Sequence, residues 1–590
     1  MSAGPSHGIT RGRAVVPWLW GGVALALVVW WGALAWDVIH ARADANAVTS
    51  YAAQAQDAVA VRDVEALRES VESLSQASRS FAGHTSGLHW WLAAQIPWVS
   101  DQVRPLRAAG SAVQALADDA LAPLSDLQDL DGLANPEFVD GRIDPLLLEP
   151  YRPTLEEVHA VLHREGDTLA AVDTTHTVRV IRDAFDSLTG QLASLTGTVD
   201  GATALAELMP GMLGGDGSRT YAVMLQNNAE PRAAGGIPGA VILVTVNDGR
   251  LQMGEYFSAA DLNRNDELID AAISEQEQIA FSDLLREYVQ DVTLTPQFPR
   301  AAELLSAFVE RRTGTAPDGV VSIDPVALGY MLADAPTRDI AGIEVGGSNL
   351  ADVMLNGAYF AFPQPSDQDA FFALAAGTLF GDILDGGPTV IDGLQRAIAE
   401  DRFAVWSAVP AEQETLATTS AGGDMLRDEV WSGVFVNDAS GAKIGYYARI
   451  AATMTVDRCD AADRVVGASM EIAITHGFDG EVATLPGYVT GNGVYVPEGQ
   501  FVANLMFLVP PHYVVTHLTV DGVSSDFGSG IVADRWLAWP RVTLEPGQTS
   551  VLVFELSPLE AASDPGSVSI TPGAKPDSNT IAVEILHTNC

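Results

Sequence analysis

The chain has 590 residues, 47% apolar and 18% charged, a composition that fits several folded domains and excludes a disordered chain. Acidic side chains outnumber basic ones 76 to 32, for a formal charge of −44. So acidic a surface repels polyphosphates, which excludes nucleic-acid binding as the main role. Lysine occurs only at Lys443 and Lys575, and this use of arginine, with the bias to Ala, Gly, Asp and Val, matches a high-GC bacterial genome.

Residues 1–13 form a short tail carrying Arg11 and Arg13. Ala14–Trp36 (AVVPWLWGGVALALVVWWGALAW) then runs for 23 residues without a charge. As a helix it would be about 35 Å long, enough for ~30 Å of hydrocarbon. With arginines before it and Asp37 after it, the run predicts a single-pass transmembrane helix, N-terminus in the cytoplasm and the bulk of the chain outside. The competing reading is a cleaved signal peptide, with Ala45-Asn46-Ala47 as a small-x-small site.

Residues 37–208 read as a helical hairpin or coiled region. Val64, Leu67, Val71, Leu74 and Phe81 recur at spacings of three and four. Leu106, Gly110, Val113 and Ala117 do the same, as do Ile181, Phe185, Leu188, Leu192, Leu195 and Val199. Such stripes are the buried faces of packed helices, forming a bundle or a spacer. His159 and His163 stand four apart on one helix, but no third metal ligand lies near them in sequence, and no metal site is predicted.

From 209 to 425 the pattern becomes that of an α/β sheet domain. Tyr221–Gln226 and Ala240–Val246 read as strands, with Asn247-Asp248-Gly249 as a turn. Between them Asn227–Gly239 (NNAEPRAAGGIPG) reads as a loop of amide, carboxylate, guanidinium and glycine groups. A rigid sheet can position such groups, while glycine admits a ligand to the backbone. Asn227, Asn228, Glu230, Arg232, Gly235 and Gly236 are therefore candidate ligand-binding residues, together with Asp261. The competing reading is a glycine-rich turn in which Glu230 and Arg232 pair with each other. Pro299–Arg312 reads as a helix stopped by Gly314, and Gly319–Ile323 as a strand leading to Asp324, a helix cap with Pro325 behind it. Asp261-Leu-Asn263-Arg-Asn265 begins like a calcium loop but lacks the required glycine and closing glutamate. Phosphate-binding, dinucleotide and serine-hydrolase signatures are absent.

Residues 426–590 read as a β-sandwich, with strands at 446–456, 468–475, 500–509, 514–520 and 550–556. Lys443, Tyr446, Tyr447 and Arg449 (KIGYYAR) read as one strand carrying an aromatic-basic cluster. Cys459 and Cys590, the only cysteines, are a candidate disulfide in an exported domain.

YAVMLQNNAEPRAAGGIPGAVILVTVNDGRL (221–251) resembles the signature of an uncharacterised bacterial family, domain of unknown function 4012. DGVVSIDPVALGYML (318–332), LNGAYFAF (355–362) and KIGYYARI (443–450) extend the likeness. It implies a membrane-anchored extracytoplasmic protein with helices, the signature and a β-rich end, and no agreed activity. YAVMLQNNAEPR is also similar in placement to the strand and loop of LytR-CpsA-Psr proteins, which attach glycopolymers to the bacterial wall. That likeness implies Mg²⁺ at Glu230 and a pyrophosphate at Arg232. Two positions depart from it: Ala260 stands before Asp261 where an arginine is expected, and the arginine-rich closing segment is AFPQPSDQD (361–369).

The sequence thus predicts a multidomain α+β protein of the cell membrane, facing outward. Its leading role is binding or organising a surface polysaccharide or an envelope complex, with no cofactor. The alternative is a polyprenyl-pyrophosphate-linked glycopolymer transferase or pyrophosphatase, for which alone Mg²⁺ is predicted. Whether the protein is an enzyme stays open. Expected partners are the bilayer and a surface polysaccharide, polyprenyl-linked glycan or envelope protein.

Overall fold

The computed structural model describes Trp30 to Cys590, leaving out residues 31, 33–35, 38, 56, 57, 59–62, 126–140, 264–266, 387, 460–463, 560–564 and 589. The tail at 1–13 and the uncharged run at 14–36 lie outside the described residues, save Trp30, Gly32 and Trp36. Among the described residues no single helix is long and apolar enough to cross a membrane. The chain is a mixed α/β protein with two compact units, one within residues 1–134 and 148–207, the other within 135–147 and 208–590.

The first unit is helical. Asp63 caps the helix Val64–His84 by accepting the Ala66 amide at 3.0 Å. Val71, Leu74 and Phe81 of its stripe are buried, and Ser78 fits among them by donating its hydroxyl to the Leu74 carbonyl. Helices Pro97–Ala115, Arg152–Ala170 and Arg179–Met212 add Ala112, Val158, Leu162, Phe185, Leu192 and Val199 to the core that holds Phe81. The spacing of three and four is therefore a core stripe.

In the second unit a five-stranded sheet comes first. Its strands are β1 (Arg219–Arg232), β2 (Gly235–Asn247), β3 (Arg250–Ser258), β4 (Gly319–Ile323) and β7 (Phe403–Ser407), in the order β3-β2-β1-β4-β7. Only β1 and β4 run parallel. β5 (Arg338–Ile340) and β6 (Ile343–Val345) make a separate small hairpin. The β2–β3 turn puts Asp248 at φ 47° and Gly249 at φ 72°, the left-handed pair that a two-residue hairpin needs. A Cβ on Gly249 would lie 1.7 Å from the Ile143 carbonyl oxygen, so no other residue fits. The helix Phe298–Thr313 packs on the sheet and ends at Gly314 in the left-handed region.

One expectation is corrected here. Asn227–Gly239 is not a loop: β1 continues to Arg232 and β2 begins at Gly235, with register shifts at Leu225/Gln226 and Asn227/Pro231. Prolines 231 and 238 donate nothing to a ladder, and the irregular pairing tolerates them. The Gln226 side chain bridges the irregularity, donating to the Ala234 carbonyl and accepting the Gly236 amide.

The C-terminal strands form two further sheets. One runs β13 (Val523–Ser524), β12 (Tyr513–Val520), β17 (Thr549–Pro558), β10 (Arg464–His476), β9 (Ala448–Cys459), β19 (Asn579–Thr588). The other runs β14 (Gly528–Val532), β15 (Arg535–Trp539), β11 (Phe501–Leu508), β8 (Val430–Asp438), β18 (Ser567–Ile570), with β16 (Arg541–Leu544) also on β11. Met454, Ile472, Phe507, Leu552 and Phe554 fill the core between them. β8 is buried at every position: Val434 and Val436 face that core, while Phe435 joins Phe308 and Leu305 of the central helix. β19 pairs parallel to β9 up to Thr588 and Cys459, and the Cys459–Cys590 disulfide closes that end with Cα atoms 5.5 Å apart. Lys443–Tyr447 is a 3₁₀ turn and the strand starts only at Ala448, so of the cluster expected on one strand only Arg449 lies on it.

Asp324 caps the helix Pro325–Met331 through the Ala327 amide at 2.7 Å, and its other oxygen accepts from Arg402 at 2.7 Å. Arg402 also reaches the carbonyls of Gly573 and Lys575, so one guanidinium links the central sheet to the β18–β19 connection. Both side chains are shut from solvent, at 4% and 0% exposure. Arg402→Ala leaves a buried carboxylate uncompensated and is expected to cost about 3–5 kcal/mol. Urea unfolding followed by tryptophan fluorescence measures this, and a loss below about 1 kcal/mol would show the pair to be dispensable.

Candidate functional site

The irregular hairpin of β1 and β2 forms one wall of a cavity of about 290 Å³, at the lower end of the range for small-molecule sites. The opposite wall comes from three helical segments. Leu328 lies on the helix after Asp324, Leu350 to Tyr359 on a short helical stretch, and Phe372, Ala375, Ala376 and Leu379 on the helix Pro365–Leu384. Most of the lining is apolar: Leu225, Ile237, Leu328, Met354, Leu355, Phe372 and Leu379. Charge enters where β1 meets the 3₁₀ turn, through Glu230, Arg232 and Lys443, beside the polar Asn227, Gln290, Tyr359 and Tyr488, and from the helix Pro365–Leu384 through Asp369.

Glu230 and Arg232 do not pair with each other. Glu230 pairs with Lys443, whose ammonium also lies 5.1 Å and 4.7 Å from the ring centres of Tyr359 and Tyr488. Burial alone would lower the Lys443 ammonium, but Glu230, with Tyr359 and Tyr488 beside it, holds it above the ordinary lysine value. Arg232 pairs with Asp291 at 3.1 Å and donates to the Asp438 carbonyl at 3.1 Å, while its Nε is buried without an acceptor among the described residues. Asp291 is raised by burial against the pull of Arg232.

The other sequence candidates fall in several places. Asn227 lines the cavity and donates to the Tyr359 hydroxyl at 2.8 Å. Asn228 is buried at 1% exposure, donates to the Pro572 carbonyl at 3.3 Å, and is not part of the lining. The space beside Gly235 and Gly236 is occupied by the chain itself: a Cβ there would meet the Gln226 side chain at 2.0 Å and the Asn227 carbonyl at 2.4 Å. Asp261 completes a capping box with Ser258 at the end of β3 and raises neighbouring Asp369, on which burial acts first. In the helical unit His159 and His163 share a partner, Asp200. Lys443, Tyr359, Tyr488, Asp291 and Asp438 reach the site from distant segments, with no local signal beyond the KIGYY cluster.

Comparison with known proteins agrees with the resemblance at the hairpin. Residues 216–359 match the profile of the family described as Protein of unknown function (DUF4012). The matched stretch holds β1 to β4 and the cavity wall as far as Tyr359. No curated protein and no solved structure matches the chain.

Asp438 sits at the end of β8 and accepts from the amides of Ser440 and Gly441 and the Ser440 hydroxyl. Burial pushes its carboxyl up to about 6, against the pull of Arg232. The folded protein therefore holds this proton at pH values where the unfolded chain, at about 3.9, has lost it. Its contribution to stability is full below about pH 4 and declines as pH rises to about 6. The stability of wild type minus that of Asp438→Asn should fall across that window, by a few kcal/mol at most. Thermal unfolding of both proteins at pH 4, 5 and 6 checks the slope, and a flat difference would remove the assignment.

Proposed function

We propose that the protein is a single-pass, membrane-anchored component of the cell envelope whose cavity binds an amphiphile: an apolar prenyl or acyl chain bearing a hydroxyl-rich glycan head. The observation that carries this reading is the two-part lining. Leu328, Met354, Phe372 and Leu379 suit a hydrocarbon chain. Gln290, Tyr488 and the Glu230–Lys443 pair suit sugar hydroxyls. Binding of this kind gives a surface polysaccharide or its lipid-linked precursor a docking point outside the cytoplasm.

The charge balance argues against pyrophosphate chemistry. Glu230 is committed to Lys443 and Arg232 to Asp291, so Mg²⁺ at Glu230 would displace a buried ammonium, and a pyrophosphate would find no uncompensated cation in these two pairs. The transferase or pyrophosphatase reading keeps one supporting feature, the apolar cavity beside an Arg232 Nε that lacks an acceptor.

Two features support the anchor. The sequence run 14–36 is uncharged, and at its end Trp30 donates to the His89 carbonyl while Asp37 accepts from His89 at 2.5 Å and Trp90 at 3.3 Å. Beside these contacts Leu88, Trp91, Leu92, Ile96 and Trp98 are exposed, and Ser80–Ser100 holds no Asp, Glu, Lys or Arg. An uncharged, tryptophan-bearing surface next to the end of an apolar run suits the interfacial layer of a bilayer.

The binding test uses the full chain in detergent with a fluorescent C15 to C20 prenol, its monoglycoside and its pyrophosphate. The prenol and glycoside should bind, and Ala376→Trp, which fills the cavity, should weaken both by about tenfold or more. Arg232→Ala should change glycoside binding little. If only the pyrophosphate binds, and does so through Arg232 and Mg²⁺, the enzyme reading replaces this one; if no chain-bearing ligand binds, both fail. For the anchor, protease added to intact spheroplasts should digest the chain beyond residue 40, and complete protection would overturn the orientation.

A further inference from the structure

His159 and His163 share one face of the helix Arg152–Ala170, one turn apart, with ring centres separated by 4.3 Å. The following helix, Arg179–Met212, delivers Asp200 to the same point. One Asp200 oxygen lies 2.7 Å from His159 Nδ1 and 3.0 Å from His163 Nε2, and the other lies 3.2 Å from His163 Nε2. One ligand atom from each of the three residues thus falls within 4.8 Å of the others. We propose that these three residues form a binding site for a divalent transition-metal ion of the Zn²⁺, Co²⁺ or Ni²⁺ type.

The donor set selects the ion. Two neutral imidazoles and one carboxylate suit borderline transition ions, whereas Mg²⁺ and Ca²⁺ prefer oxygen ligands. Imidazoles at i and i+4 chelate one ion from one side of a helix. Nitrogen and oxygen ligands about 2.1 Å from a tetrahedral ion stand about 3.4 Å from one another. The present Asp200 to histidine distances of 2.7 to 3.2 Å reach that with a small opening.

The platform is firm. Leu155, Val158 and Leu162, which flank the histidines on their helix, are buried, and so is Val199, the residue before Asp200. The ligands themselves stay open to solvent, the two histidines at 43% and 49% and Asp200 at 30% exposure. Three protein ligands on an open surface leave room for water or an outside ligand at the remaining position. A chain of net charge −44 also concentrates cations around it. The bound ion would clamp the two helices in place of the present hydrogen bonds, and so stabilise the helical unit.

The test is equilibrium dialysis of the full chain in detergent, free of any affinity tag, against Zn²⁺, Ni²⁺ or Co²⁺. One ion per chain is expected. Co²⁺ should develop the visible absorption of a nitrogen- and oxygen-ligated ion, and Zn²⁺ should raise the melting temperature. His163→Ala and Asp200→Asn should each weaken binding by about tenfold or more, with far-UV circular dichroism unchanged because neither side chain is buried. Stoichiometric binding that survives His159→Ala/His163→Ala would place the ion elsewhere and overturn the assignment. No binding of any of the three ions at roughly 1 mM would overturn it as well.

Discussion

The buried ion pair between Lys443 and Glu230 is the contact on which the second unit depends. An ammonium at 6% residue exposure is unfavourable unless it is paired, and Glu230 with the faces of Tyr359 and Tyr488 supplies the pairing. The pair holds the turn Lys443–Tyr447, which opens the β9 sheet, against the far end of β1. Gly445 makes the approach possible, since a Cβ there would lie 2.7 Å from the Ala229 carbonyl oxygen. The β-rich end of the chain and the central sheet are thereby held together. Arg402 with Asp324 fastens the same two parts at a second point.

That arrangement determines what the cavity can do. Its cations were neutralised in folding, so its selectivity rests on shape and apolar area more than on charge. Asn227, spent on the Tyr359 hydroxyl, stiffens the wall and offers little free hydrogen-bonding capacity. A hydrocarbon chain places no demand on such groups, while a doubly charged head would have to displace an existing partner. Glu230, Lys443 and Arg232 are accordingly committed to the wall.

Much of the fold was legible in the sequence because local rules governed it. The helical stripes around Phe81 and Leu192 obeyed their period, Asp248-Gly249 marked its turn, and Asp324 with Pro325 marked a helix start. The irregular hairpin was hidden because Pro231, Pro238 and the glycines suggest a loop, and the Gln226 side chain that stabilises the strand pairing cannot be seen without coordinates. β8 escaped because burial on both faces removes the alternation that identifies a strand. The site was less legible still. Glu230 and Arg232 stood out by chemistry, but their partners come from far along the chain: Lys443 is 213 residues from Glu230 and Asp291 is 59 from Arg232. Leu328, Met354 and Phe372 carry no signal that separates a cavity lining from a packed core. Asp200, the third member of the histidine cluster, lies 37 residues beyond His163 on another helix, where spacing gives no hint of it.

The most direct measurement is a crystal structure of the chain with a long-chain glycoside brominated along its hydrocarbon tail. Anomalous scattering then locates the tail independently of any fitted ligand. The expected result is a bromine peak between Leu328 and Phe372, with the Lys443–Glu230 pair intact. A peak only on the protein surface, or a guest seated by breaking that pair, would contradict the account.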